Sequence, residues 1–146
     1  MTLSALLLVA CDKEKVVQSD DLPANASGFI TTHYSGKQIL QVVKELDNLK
    51  TYYHVYLNNG TKLDFSRQGS IKKVDGTEEI PDTVIPLLIL NYVDANYPAA
   101  FIRGWDIDDT SQEIKLATDV KLEFDKNGNF PGSRSEERRV GKECRS

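Results

Sequence analysis

Between residues 38 and 66, apolar and polar residues alternate in three consecutive runs, "QILQVVKEL", "TYYHVYLNNG" and "TKLDFS", all rich in β-branched and aromatic side chains. Alternation with period two puts every second side chain on one face of a strand, so these runs predict three antiparallel strands sharing one apolar face. Asn58-Asn59-Gly60 predicts a tight hairpin between the second and third, because Asn and Gly accept positive φ. A different period precedes them. Ala26, Phe29, Ile30 and His33 recur at helical spacing and predict a helix over about Pro23–Tyr34, ending near Gly36.

The same succession then returns. Ile85, Leu88, Ile89, Tyr92 and Val93 form a second helical stripe that opens at Pro81-Asp82-Thr83, with Pro86 expected within its first turn. After it, "FIRGWDID", "SQEIKLAT" and "VKLEFD" read as three more strands. The phrase "TKLDFSRQGSI" at Thr61–Ile71 is answered by "VKLEFDKNGNF" at Val120–Phe130, so Leu63 and Phe65 align with Leu122 and Phe124, and Val55 and Leu57 with Ile114 and Leu116. In each phrase Leu and Phe are two apart and share a face, while the carboxylate between them takes the other. The expected fold is α+β: tandem αβββ repeats at about 22–75 and 81–131, with two helices packed on one face of a six-strand antiparallel sheet. A short extension is expected at Ile71–Val74. One helix over three strands buries little, and two such units share one core.

Both ends of the chain differ from this body. "MTLSALLLVA" is an uncharged apolar run with the small residue Ala10 just before Cys11, and "LVAC" has the form of a lipobox, in which the Cys thiol accepts a diacylglycerol. Residues 1–11 are therefore expected to be a lipoprotein signal segment with Cys11 as the lipid site, and 12–21, "DKEKVVQSDD", a polar tether. At the other end, "RSEERRVGKECRS" at Arg134–Ser146 matches the translation of a common short-read sequencing adapter and is expected to be read-through, leaving 22–133 as the domain. That tail holds five of the 18 basic residues and three of the 22 acidic ones, so the remainder has 13 basic against 19 acidic residues and a net charge of −6. Such a balance argues against nucleic acid as a partner, since affinity for phosphate backbones comes largely from Lys and Arg. With one Cys in the lipobox and the other in the tail, no disulfide or Cys-based metal site is expected.

The layout "LP…FI…HYSGKQI…YYHVYLNNGTKLDF…G", followed by "IP…I…YV…NYP…FI…W…EIKL…KLEFDKNGNF", resembles the PepSY-like, β-lactamase-inhibitor-like proteins of Bacteroidetes across about Leu22–Phe130. The resemblance implies export and a duplicated α+β fold. Its motifs are core and turn residues rather than a catalytic signature, and a fold likeness to an inhibitor does not by itself imply inhibition.

Chemical motifs are sparse. There is no Gly-rich phosphate loop, no nucleophile elbow and no His pair at metal-binding spacing. His33, aligned with Asn96, is expected to pack through a hydrogen bond, and His54 aligns with Glu113, which argues against a site common to both halves. "DIDD" at Asp106–Asp109 and "DKNGN" at Asp125–Asn129 supply oxygen ligands without a terminal bidentate Glu, so turn roles are favoured over a metal site. The strongest feature is the face opposite the helices. There Tyr52, His54, Tyr56, Lys62 and Asp64 are expected outward, joined by Lys115, Lys121 and Glu123 and by Trp105 of "FIRGWDI". Rigid aromatic rings among charges make a binding surface, with cross-strand pairing as the alternative role. The sequence thus points to a non-enzymatic envelope lipoprotein, periplasmic or at the cell surface, without a cofactor. It binds another envelope protein, inhibition being one form of such binding, and touches the membrane through its lipid alone. The alternative is a small-ligand or calcium carrier.

Overall fold

A computed structural model describes residues 13–131. The lipid site expected at Cys11, the leader before it and the read-through expected at 134–146 lie outside the described residues. Eight strands form one antiparallel sheet, in which each strand pairs only with its neighbours in sequence. They are β1 (Glu14–Val17), β2 (Ile39–Asp47), β3 (Lys50–Leu57), β4 (Lys62–Ser66), β5 (Ile71–Asp75), β6 (Ile102–Ile107), β7 (Ser111–Leu116) and β8 (Lys121–Asp125). Helix α1 (Ala24–His33) comes between β1 and β2, and α2 (Leu87–Asn96) between β5 and β6.

Register explains why one face is roofed. Val55 lies opposite Leu63, Leu63 opposite Val74, Val74 opposite Trp105, Trp105 opposite Ile114 and Ile114 opposite Leu122. All six are buried, and Ala26 and Ile30 of α1 and Ile89 and Val93 of α2 join them in one core. Both helices lie on this face. Phe29 of α1 packs edge-on against Phe65 of β4, and Tyr92 of α2 packs edge-on against Phe124 of β8. His33 takes the expected packing role: it stacks near Phe29 and its Nδ1 is 2.9 Å from Thr83 Oγ1, which ties the end of α1 to the segment before α2.

Three expectations are corrected. The segment read as a polar tether instead forms β1, which pairs with β2 from Glu14↔Glu45 to Val17↔Val42, and then a 3-10 turn at Ser19–Asp21. The extension at Ile71–Val74 is a full strand, β5, which pairs with β6 and joins the halves. The sheet therefore has eight strands rather than six, and the order strand, helix, three strands occurs twice along the chain. Finally, Pro86 is the N-cap of α2 rather than lying inside its first turn: its ψ of 140° is extended, while its carbonyl accepts from the N–H groups of Ile89 and Leu90. Ile85 is buried just ahead of the helix, and Leu88 is exposed.

Candidate functional site

No described element covers the second face of the sheet, and its residues follow from the same register. His54, Asp64, Lys73, Asp106, Glu113 and Glu123 form one row across β3 to β8. The next row holds Tyr56, Lys62, Asp75, Gly104, Lys115 and Lys121. Tyr52 lies opposite Glu45 and Ser66. Opposite charges meet between and within rows: Lys73 with Asp106 at 3.3 Å, Lys62 with Asp64 at 3.6 Å and Lys121 with Glu113 at 3.7 Å. Lys62 also lies over the Tyr56 ring, 5.7 Å from its centroid.

His54 is the most constrained group on this face. Its Nδ1 is 2.6 Å from Asp64 Oδ1, directly opposite, and its Nε2 is 2.7 Å from Glu45 Oε1 on the diagonal. The side chain is 14% exposed. Burial opposes its positive charge, but the hydrogen bonds to Asp64 and then Glu45 prevail and raise its pKa above the usual value. Glu45 belongs to this cluster although the sequence reading did not single it out. Its place on the outer face follows from β2 alternation once β2 is paired with β3.

Tyr52, His54, Tyr56 and Lys115 all face outward as expected, but Trp105 does not. It is only 8% exposed, it belongs to the core, and its indole N–H donates to Gln112 Oε1 at 2.8 Å. The cause is a bulge in β6 between Ile102 and Gly104, which takes Arg103 out of the pairing and reverses the alternation beyond it. Gly104 takes the outward position instead. A Cβ there would lie 3.0 Å from Lys115 Cβ, so the missing side chain leaves room for Lys115.

The acidic turns do not converge. Asp125 Oδ1 accepts hydrogen bonds from the N–H groups of Asn127 and Asn129, at 2.9 and 2.8 Å, which hold its pKa below the ordinary carboxylate value. Asp106 is engaged with Lys73. Among the described residues no group of three His, Cys, Asp or Glu is placed to hold a metal ion, and no helix is long and apolar enough to cross a membrane.

An open antiparallel sheet roofed on one side by two helices, with a charged aromatic far face, defines an α+β module of the PepSY-like kind. A family described as "Putative beta-lactamase-inhibitor-like, PepSY-like" matches residues 51–131, and the chain belongs to it. Among solved structures it is similar to one from Bacteroides thetaiotaomicron described as a "putative calcium-regulated periplasmic protein", 32% identical with a TM-score of 0.79, covering 84% of this chain and 97% of that one. Two proteins of Bacteroides vulgatus, each described as a "putative periplasmic protein", are similar in the same way. One is 31% identical (TM-score 0.79; 83% of this chain, 96% of that one), and the other, of unknown function, is 27% identical (TM-score 0.77; 82% and 97%). No curated protein sequence matches the chain.

Proposed function

We propose that this chain is an exported, non-enzymatic PepSY-like module, anchored by lipid at Cys11, which binds another envelope protein through the helix-free face of its sheet. The periplasmic setting of its structural relatives supports export. The observation that carries the binding reading is the pair of cross-strand rows around Tyr52, His54 and Tyr56, where half-buried rings lie among charges already held in place by their partners. Such a surface loses little side-chain freedom on docking. The test is photocrosslinking in the envelope from Tyr56 and from Lys115, with Thr32 on α1 as the control. The reading predicts the same captured protein from both face positions and not from the helix. Capture from neither, or equally from all three, would overturn it. Trp105 is unsuited to such a test because it lies in the core.

The structural relative described as calcium-regulated favours a second reading, in which the acidic turns bind calcium. A ligand that binds only the folded chain raises its melting temperature. An unchanged melting temperature at millimolar calcium would dispose of this reading.

A further inference from the structure

The turn between β2 and β3 breaks a local rule. Asn48 and Leu49 both have positive φ, 50° and 67°, a conformation that Asn and Gly take readily and Leu does not. Leu49 is nonetheless 94% exposed, and Leu46 beside it is 52% exposed. An apolar side chain held into solvent at a strained position agrees neither with turn chemistry nor with solubility, and such disagreements mark functional positions.

Beside this tip is a cleft of about 340 Å³ lined in part by Leu49, Lys50, Tyr52, Ser66, Arg67 and Lys72. No carboxylate lines it, and Lys50, Arg67 and Lys72 form no ion pair among the described residues. In a chain with net negative charge, three cations gathered around one cleft without a carboxylate in its lining favour an anionic partner, even with Asp47 opposite Lys50 in the β2–β3 register. The chain also enters the fold here, since the N–H of Leu46 donates to the carbonyl of Lys13 at 2.9 Å. In the sequence Cys11 is two residues further back.

We infer that this corner docks on a phospholipid bilayer: Leu49 and Leu46 enter the acyl boundary, while Lys50, Arg67 and Lys72 hold the phosphates of anionic headgroups. An apolar tip ringed by cations has the composition of an interfacial contact. The orientation rests on the anchor proposed at Cys11, whereas the patch does not. The adjoining cleft adds Asp108 and Asp109 to Lys50 and Lys72, so the acidic β6–β7 turn bounds the patch and the β2–β3 corner leads. This contact adds to the lipid, and Tyr52, which borders the cleft, is where it meets the open face.

The test uses the full chain carrying Cys11→Ala, so that no lipid contributes, sedimented with vesicles rich in phosphatidylglycerol or made of phosphatidylcholine alone. Binding is expected to the anionic vesicles, weakening with salt. It should fall about fivefold for each of Lys50→Gln, Arg67→Gln and Lys72→Gln, and about tenfold for Leu49→Asp. Unchanged melting of each variant would show that folding is intact. Binding to neither vesicle, indifference to Leu49→Asp, or equal binding to both vesicles would overturn the inference. Binding of soluble glycerol phosphate without any binding to anionic vesicles would also overturn it, by assigning the cleft to a free anion. Labelled fatty acid incorporated by the wild type and not by Cys11→Ala tests the anchor separately.

Discussion

Both ring nitrogens of His54 face a carboxylate, so only the imidazolium can donate to Asp64 and Glu45 together. Its folded-state pKa lies above 6.5. A raised value means that the stabilisation is complete below the unfolded pKa and is lost as pH rises through the folded one. Melting temperature should therefore fall as pH rises from the ordinary His value through the raised folded-state pKa in the wild type, with a smaller slope in His54→Gln. At about pH 6 that variant should be less stable by about 2 kcal/mol in denaturant titrations, since it takes the charged imidazolium donor from both carboxylates and offers at most a neutral amide to one. Tyr34 presents the opposite case. Its hydroxyl is buried without a hydrogen-bond partner among the described residues, and burial pushes its pKa up to about 12. Tyr34→Phe removes an unsatisfied group at constant shape and should raise stability by about 1 kcal/mol, read from the same titrations.

Among the elements, one turn geometry is used four times, in three hairpins and again after β8. The N–H of Leu57, Ser66, Leu116 and Asp125 donates to the carbonyl four residues on, and the residue three on, Gly60, Gly69, Asp119 or Gly128, has a positive φ. Asp119 shows that the geometry does not require Gly, and its carboxylate meets Arg103 at 3.0 Å. Gly69 is different because of what it touches: a Cβ there would lie 2.8 Å from the backbone N of Ala26, at the start of α1. At Gly128 the nearest atom would be Leu88 Cβ at an ordinary 3.6 Å. Gly128→Ala should cost about 1 kcal/mol from φ alone, and Gly69→Ala about 3 kcal/mol, as measured by equilibrium unfolding. The strands that alternate cleanly were legible in the sequence because Leu63, Phe65, Leu122 and Phe124 needed only parity to find the core. Trp105 was not, because parity fails wherever a bulge intervenes and nothing in "FIRGWDI" marks Arg103 as the extra residue. β1 escaped for another reason: its four residues, two of them charged, have too little alternation to outweigh a polar setting, and β2 decides their pairing.

For the molecule as a whole, β1 is an edge that shields β2. Removing the residues through Val17 should expose the longest strand of the sheet. Stability should fall by about 2 kcal/mol, and self-association should appear in light scattering as concentration rises. The broad architecture was readable because two helical stripes and two strand phrases recur in the same order. The seam between the halves was not, since β5 looked like the tail of the first half and proves to be the strand that holds the second against it through Lys73↔Asp106, Val74↔Trp105 and Asp75↔Gly104.

Strand order identical to sequence order has a consequence for how such a chain matures. Every ladder closes on the strand before it in sequence, five of the seven across a turn and two across a helix, and local closure of this kind makes for rapid folding. A polypeptide threaded through a translocon with its N-terminus leading can add one ladder after another as it emerges.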